Sequence, residues 1–407
     1  MDIAPATDAR AWDSFLTRQR FSPFLQSWTM GEVYRSLGQE PVRLEMREGN
    51  DIVGICFGHV VPARRGRHVS VPYGPVFADS FQLSGSSFQE LVGALKDVST
   101  AHHCSFIRMS PFLPAEAAVK AGWPPDQSLR SPLHLLGEHV WYLSLRTIDL
   151  WSGGQFPSLQ NNSPHPLDSN SPHPLAPSPG GGGGTGGGGW SPKTGGGGWD
   201  KKEGAPRSED DLFKAMRATT RNLIRRAQKE GVTVTASTEP MKDLDHFLRL
   251  HDETRKRHGF TPYTDEFFRS QLEHFASRGD ATLYLAWYKS EVIASSIHMH
   301  VGGETSYHHG ASTHRYSKIP ASYVLQWTAI RDALKRGDSI YSFWGIAPIN
   351  QEGQVIDKTH PFAGVTLFKT GFGGRLLNLV HCFDIPISKK YYVTRAFEFV
   401  RKWRRGF

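Results

Sequence analysis

A stretch of 57 residues in the middle of the chain, 151–207, separates two parts of ordinary composition. It holds 16 of the 41 glycines and nine of the 26 prolines, and it repeats both Asn-Ser-Pro-His-Pro-Leu and Gly-Gly-Gly-Gly-Trp. Glycine and proline at this density cannot bury enough apolar surface to offset the entropy of the chain. We therefore expect a disordered insert, bounded at 148–207, that expands a surface loop. A recognition motif formed by Trp190 and Trp199 is the alternative.

The overall composition allows two folded domains and excludes several classes of protein. The chain has 407 residues, and its three cysteines, Cys56, Cys104 and Cys382, lie far apart and form no Cys-x-x-Cys pair. Neither a disulfide framework nor a cysteine zinc site is therefore indicated. The N-terminus lacks the basic and apolar regions of a signal peptide, and no apolar run is long enough to span a bilayer. We expect a cytoplasmic protein.

The net charge of +8 is concentrated in the C-terminal part. Residues 1–150 carry 14 Lys and Arg against 15 Asp and Glu, whereas residues 208–407 carry 29 against 21. This asymmetry suggests an anionic partner such as RNA, a nucleotide-linked substrate or a lipid headgroup surface. A basic but simply soluble domain explains it equally well.

Residue patterns predict an α/β unit before the insert. Residues 41–48 and 52–61 are typical of strands joined by a turn at Gly49-Asn50. A helix over 87–99 and an apolar strand over 105–109 follow.

The second unit begins with a helix signal at Ser208, where a capping box opens an amphipathic pattern that ends at Gly231. We predict one helix over this range. Its polar face carries a basic stripe, which is either solvated or binds an anion. The stripe consists of Lys214, Arg217, Arg221, Arg225 and Lys229.

Three antiparallel strands are predicted next, over 281–288, 292–301 and 305–309. A helix over 320–335 and a strand over 339–343 complete an order typical of the GNAT acyltransferase fold. A GNAT enzyme that uses acetyl-CoA needs a glycine-rich turn before this helix, so that backbone amides can approach the pyrophosphate. The turn here contains no glycine and ends at Pro320, which argues against CoA as the donor.

Other motifs give little support to other chemistries. Four histidines cluster in the meander, and we interpret them as structural because no carboxylate lies at a ligand-like spacing. They are His298, His300, His308 and His309. The chain contains no G-x-S-x-G, Walker A or H-E-x-x-H motif, so hydrolase, nucleotide-binding and zincin functions are not indicated.

Several segments resemble the FemABX family of aminoacyl-tRNA-dependent peptidyltransferases, and the resemblance extends over all of the chain except the insert. The most specific is the Phe-Lys-x-x-Phe-Gly-Gly element within 362–374. The others are Gln26-Ser27-Trp28, Gly74-Pro75-Val76, 220–227, 307–312, Leu325-Gln326-Trp327 and Phe343-Trp344-Gly345-Ile346.

The resemblance implies two tandem GNAT-like domains of mixed α/β class with a cleft between them. It places domain 1 at 1–147, domain 2 at 208–384 and a basic C-terminal helix at 385–407 that packs back on domain 1. It implies an enzyme that moves an amino acid from aminoacyl-tRNA to the stem-peptide side-chain amine of a peptidoglycan precursor. Such an aminoacyltransferase serves cell-wall biogenesis and cell shape.

The partners implied are aminoacyl-tRNA, as a co-substrate, and a nucleotide-linked or lipid-linked muramyl pentapeptide. We expect no cofactor, no metal and a monomer. Two alternatives stay open: a GNAT-like acyltransferase for another amine acceptor, such as a small molecule or polysaccharide, and a catalytically idle protein that binds RNA or the precursor.

Site residues follow from the matching motifs. The resemblance makes Lys369, shielded by Phe368, the cation that faces the developing oxyanion or the substrate phosphates. Asp79 is the nearest carboxylate that could accept a proton from the attacking amine. Candidates for substrate binding are Tyr73, Arg221, Arg225, Tyr34 and Arg35.

The C-terminal tail allows two interpretations. Residues 389–405 contain seven basic residues against one acid, Glu398, and are interleaved with aromatic residues. The tail either packs on the first unit as an amphipathic helix, which we favour, or lies peripherally on an anionic membrane face.

Overall fold

The structure is a computed structural model of the chain. It describes residues 1–63, 66–79, 81, 84–118, 123–133, 136–147, 204–258 and 263–405. The predicted insert, 148–207, lies outside the described residues except for its last four positions.

The first part of the chain contains the predicted strands and helix. The turn between β2 and β3 falls at Gly49, whose φ of +60° suits glycine, and the Ser84 hydroxyl caps α3 by accepting the Ser87 N–H. In chain order the elements are β1 (Asp2–Pro5), α1 (Ala9–Arg18), α2 (Trp28–Ser36), β2 (Pro41–Glu48), β3 (Asp51–Val61), β4 (His68–Pro72), β5 (Val76–Phe77), α3 (Gly85–Ala101), β6 (Phe106–Ser110), α4 (Ala115–Ala118), β7 (Leu129–Arg130) and β8 (His139–Ser144).

The second part contains the predicted three-stranded meander, which is confirmed by the antiparallel pairing of β10, β11 and β12. The elements are α5 (Glu209–Ala215), α6 (Ala218–Lys229), β9 (Thr233–Ala236), α7 (Pro240–His258), α8 (Asp265–Ala276), β10 (Ala281–Tyr288), β11 (Glu291–Val301), β12 (Glu304–Ser312), α9 (Ala321–Arg336), β13 (Ile340–Gly345), α10 (Ala363–Thr370), β14 (Arg375–Asn378), β15 (Phe383–Pro386) and α11 (Lys390–Arg405).

The prediction of one helix from Ser208 to Gly231 is wrong. The capping box at Ser208 is present, but α5 ends at Met216, and both Met216 and Arg217 have ψ near 150°. The Arg217 N–H donates instead to the Gly371 carbonyl, 2.9 Å away on a distant segment. A tertiary hydrogen bond therefore interrupts a helical pattern, and the basic stripe is split between two helices.

The two sheets exchange strands, so they do not follow the two halves of the sequence. The first sheet has the order β1-β2-β3-β4-β6-β15-β7, with β5 paired to β3, and the second has the order β14-β8-β13-β12-β11-β10-β9. Strand β8, which precedes the expected domain boundary at 147, lies in the second sheet. Strand β15, near the C-terminus, lies between β6 and β7 in the first sheet.

A shared apolar core joins the two parts. It combines Trp12 and Phe24 from the N-terminal part with Phe247, Phe268 and Phe275 from α7 and α8. All five side chains are at most 2% exposed. Because burial of this size is the main stabilising contribution in a fold, both parts are held together around the region where the sheets meet.

The C-terminal helix α11 contacts the first sheet through Arg108 of β6. The Arg108 guanidinium donates to Asp384 of β15 at 2.7 Å and to Glu398 of α11 at 2.6 Å. Burial alone would lower the pKa of Arg108, but the hydrogen bonds to these two carboxylates raise it above its usual value. Strand β15 and α11 are therefore fixed to the first sheet by one buried ionic cluster.

Candidate active site

Two glycines in close contact connect the segments that carry Tyr73 and Lys369. Gly137, just before β8, lies against Gly345 at the end of β13, and a Cβ atom on Gly137 would lie 2.6 Å from the Gly345 Cα. The Tyr73 hydroxyl donates to the Gly137 carbonyl at 2.8 Å, and the Lys369 Nζ donates to the Gly345 carbonyl at 2.7 Å. Tyr73 and Lys369 thus hold opposite sides of one close backbone contact.

Lys369 is a buried amine. Its side chain is 8% exposed, and its Nζ lies 5.8 Å from the centre of the Tyr307 ring. Burial lowers the pKa of Lys369 to about 7. The amine therefore gains and loses a proton near neutral pH, which suits a group that acts on reacting charge.

The residues around Lys369 explain why its motif contains aromatic residues and glycines. Phe368 packs against Tyr323 and Phe372, with ring centres 4.9 and 5.4 Å apart. The Thr366 hydroxyl accepts the Ala347 N–H at 2.8 Å and ties α10 to the segment after β13. Gly374, with φ of +109°, lies too close to the Tyr142 carbonyl to carry a side chain.

Arg217 fixes the far end of α10, a role that the sequence did not single out within the basic stripe. Its guanidinium donates to the Leu367 carbonyl at 3.1 Å and to the Thr370 hydroxyl, and its backbone N–H donates to Gly371. The helix that carries Lys369 is therefore attached directly to the start of α6.

Gln26 positions Tyr73 from the other side. Its side-chain amide is fully buried, donates to the carbonyls of Phe57 and Pro72, and accepts the Phe57 N–H. Gly74 packs on this amide with no space for a Cβ. The Gln-Ser-Trp landmark is thus a structural support for the Tyr73 segment.

A narrow cleft lies where the two sheets meet. Tyr73 and Trp344 both have positive φ, +53° and +64°, which bulky residues adopt only when their surroundings impose it. Their ring centres are 5.4 Å apart. The cleft is lined by Pro23, Phe24, Tyr73, Phe112, Val140, Glu304, Ser306, Ser342 and Trp344.

Glu304 supplies a buried carboxylate to this cleft, and the sequence did not indicate it. Its Oε1 accepts from the Ser306 hydroxyl at 3.1 Å, and the side chain is largely buried. Burial first, and then the negative charge of Glu304, raise the pKa of Tyr73 above its usual value. Tyr73 therefore acts as a neutral hydrogen-bond donor.

A β-bulge directs His308 toward the same region. Ile297 pairs with His309 and His298 pairs with Tyr307, so His308 is the extra residue. Its ring lies 4.7 Å from Phe24 and 4.5 Å from Trp344. Neither ring nitrogen has a hydrogen-bond partner among the described residues. Burial lowers the pKa of His308 to about 3.

Two more of the four histidines in the meander, His298 and His300, lie in hydrogen-bonded networks. His298 Nε2 is 2.8 Å from the Tyr341 hydroxyl, and the ring nitrogens of His300 contact the hydroxyls of Thr282 and Thr305. Burial lowers the pKa of His298 to about 3 and that of His300 to about 2. These positions fit the structural role that we expected.

We expect acid to destabilise the fold through these buried histidines. Between pH 6.5 and 3 the unfolded state binds protons that folded His308 does not, so the free energy of unfolding falls as pH falls below 6.5. When the pH falls from 7 to 5, the free energy of unfolding of His308→Phe should fall by about 1–2 kcal/mol less than that of the parent. Urea unfolding at both pH values measures this, and exposed His314→Gln is the control. An unchanged pH dependence in His308→Phe would contradict the assignment.

The basic residues predicted to bind substrate have different environments. Arg221 donates to the Lys214 and Met216 carbonyls and so caps the end of α5. Arg225 is exposed, with its guanidinium carbon 5.1 Å from the centre of the Phe213 ring. Arg225 is therefore better placed than Arg221 to meet a solvent-borne anion.

The N-terminal candidates lie on α2 and near β5. Tyr34 stacks on His59, with ring centres 3.7 Å apart, and Arg35 is exposed and pairs with Glu32 at 2.6 Å. Asp79 accepts the Arg20 N–H at 2.8 Å, and its own N–H donates to the Gln19 side chain. Asp79 therefore anchors the end of α1, and its predicted role as proton acceptor stays a prediction.

The close contact between glycines gives a direct test of this site. Gly137→Ala should reduce the free energy of unfolding by about 1–3 kcal/mol, because the added Cβ forces apart the two backbone segments that Tyr73 and Lys369 hold. Gly93→Ala in α3 is the matched control. Its Cβ meets nothing within 4 Å, so it should be neutral or stabilising by up to about 1 kcal/mol. Chemical unfolding measures both, and equal effects would contradict the tight packing.

Comparison with known proteins agrees with this geometry. A family model described as an acetyltransferase (GNAT) domain matches residues 214–350. Aminoacyltransferase FemB of Staphylococcus epidermidis is 23% identical over 254 residues, which cover 47% of this chain and 58% of FemB. Aminoacyltransferase FemA of the same species is 33% identical over 89 residues, or 22% of this chain and 20% of FemA.

A solved structure extends the likeness to almost the whole chain. The crystal structure of FemX superposes with a TM-score of 0.69 at 14% identity, covering 98% of this chain and 100% of that one. In sequence the chain is similar to FemB and FemA, and in fold it is similar to FemX. Its fold is the mixed α/β, GNAT-like fold that the sequence predicted. Among the described residues, no helix is both long and apolar enough to cross a membrane.

Proposed function

We propose that this protein is a FemABX-type aminoacyltransferase that moves an amino acid from aminoacyl-tRNA to the stem-peptide amine of a peptidoglycan precursor. The observation that carries the proposal is the buried Lys369, which donates to the carbonyl of Gly345. Gly345 lies against Gly137, and the Gly137 carbonyl accepts from Tyr73, a residue of the cleft. Two relatives that share sequence with the chain, FemB and FemA, are named aminoacyltransferases.

The proposed reaction is the aminolysis of an ester. The acceptor amine attacks the ester carbonyl, a tetrahedral oxyanion forms, and its collapse makes an amide and releases the tRNA ribose hydroxyl. The attacking nitrogen loses one proton in the process. A protonated Lys369 would stabilise the oxyanion, and Phe368 would keep water away from it. Exposed Arg225 would bind a phosphate or carboxylate of the substrate.

The turn before α9 supports a donor other than CoA. The backbone N–H groups of every second residue along this turn already donate within the turn, either to backbone carbonyls or to the Thr313 hydroxyl. They belong to Arg315, Ser317, Ile319, Ala321 and Tyr323. Amides engaged in this way are not directed at a pyrophosphate. We therefore propose that aminoacyl-tRNA is the co-substrate and that no cofactor takes part.

A transfer assay tests the proposal. Purified protein is mixed with labelled aminoacyl-tRNAs and with nucleotide-linked or lipid-linked muramyl pentapeptide, and parallel reactions contain labelled acetyl-CoA. We expect label in the precursor only from aminoacyl-tRNA. Label from acetyl-CoA, or transfer to other amines but to neither precursor, would support the alternative acyltransferase. If folded protein binds tRNA or precursor but transfers nothing, it is the idle binding protein.

A further inference from the structure

The outward face of the C-terminal helix α11 is apolar. Trp403 is 84% exposed and Val393 is 60% exposed, although both types of side chain are usually buried. At 100° per residue the exposed apolar side chains lie within an arc of roughly 160°. They are Tyr392, Val393, Phe397, Phe399, Val400 and Trp403.

The face of α11 that packs on the protein is polar. Buried Tyr391 donates its hydroxyl to Asp384 at 3.0 Å, Thr394 is buried, and Glu398 pairs with Arg108. A surface helix of a globular protein normally buries its apolar stripe and exposes its polar face. Helix α11 does the reverse, and its apolar side chains are 48–84% exposed.

The charges on α11 indicate what would cover this face. Seven basic residues lie within 389–405, and the one acid, Glu398, points inward to Arg108. At the same 100° per residue, Lys390 and Arg401 border the apolar arc on one side, and Arg395 and Lys402 on the other. Arg395 lies 4.9 Å from the Phe399 ring centre. An apolar arc with basic borders and a terminal tryptophan is typical of a helix that lies flat in a membrane interface.

We infer that α11 docks this protein on the surface of an anionic lipid bilayer. The apolar arc enters the headgroup region, and the basic borders contact the lipid phosphates. The inference concerns binding and does not depend on the reaction proposed above.

Vesicle co-sedimentation of the full chain tests this inference. The parent should bind vesicles that contain phosphatidylglycerol and should bind pure phosphatidylcholine vesicles at least about tenfold more weakly. A triple variant, Val393→Ser, Val400→Ser and Trp403→Ser, should lose binding at least about tenfold, because it removes apolar area from the arc. Ile356→Ser, which changes an equally exposed apolar residue elsewhere, is the matched control and should bind like the parent.

Charge reversal on α11 provides a second test of the inference. Lys390→Glu with Arg401→Glu should weaken binding to anionic vesicles and reduce its dependence on salt. Circular dichroism should show that all these variants stay folded, since the changed side chains are exposed. Failure of the folded parent to bind anionic vesicles, or equal binding to neutral ones, would overturn the inference. A parent that dimerises and a triple variant that is monomeric, with neither binding vesicles, would assign the face to a second copy and also overturn it.

Discussion

Replacement of Lys369 by methionine is expected to lower the rate of aminoacyl transfer at least about 100-fold. Methionine fills a similar volume in the buried site but provides no charge and no donor. The change removes the cation that we propose stabilises the oxyanion and leaves the cleft residues in place. Single-turnover transfer from aminoacyl-tRNA to the muramyl pentapeptide measures the effect.

The same variant separates loss of chemistry from loss of folding. The Gly345 carbonyl loses its donor, which costs about 1 kcal/mol, but the fold no longer buries an amine. Burial lowers the pKa of Lys369 from the ordinary value of 10.5 to about 7. Between pH 7 and 10.5 the unfolded state therefore holds a proton that the folded state has released. When the pH rises from 7 to 9, the free energy of unfolding of the parent should therefore increase by about 2 kcal/mol more than that of Lys369→Met.

The pH dependence of transfer then assigns the form of Lys369 that acts. If the cation stabilises the oxyanion, the rate in the parent falls as pH rises above about 7, because the amine loses its proton. We expect this falling limb, and Lys369→Met should lack it. A rate that instead rises through pH 7 only when Lys369 is present would assign the neutral amine as a base. Full activity of Lys369→Met would contradict any catalytic role.

Replacement of Arg108 by methionine is expected to reduce the free energy of unfolding by about 3–5 kcal/mol. The change leaves the fully buried carboxylate of Asp384 without its guanidinium partner and frees Glu398 of α11. An uncompensated buried charge is among the most destabilising defects in a protein. Urea unfolding at pH 7 measures the loss.

Matched variants distinguish the buried charge from the lost contacts. Arg108→Met combined with Asp384→Asn and Glu398→Gln should recover much of the stability, because no charge is then left unpaired. Lys214→Met, which breaks an exposed ion pair with Asp210, should reduce the free energy of unfolding far less than Arg108→Met does. A loss of similar size in Lys214→Met and Arg108→Met would contradict the importance of burial.

Local sequence signals determined part of the secondary structure. Strand β2 and the β10–β12 meander follow from alternating and β-branched residues, and the start of α5 follows from the Ser208 capping box. These features depend on neighbours a few residues away, so they can be derived from the sequence. The Phe-Lys-x-x-Phe-Gly-Gly element also pointed to Lys369, which is buried in the structure, and its catalytic role stays a prediction.

Tertiary structure alone decided how these elements combine. The break at Arg217, the exchange of β8 and β15 between the sheets and the approach of Gly137 to Gly345 all join residues far apart in the chain. Such contacts leave no periodic signal in the sequence, because each depends on which surfaces meet. The same is true of α11, whose amphipathic pattern is plain in the sequence. Tertiary contacts, including the Glu398–Arg108 ion pair and the Tyr391–Asp384 hydrogen bond, determine that its polar face packs inward and its apolar face points to solvent.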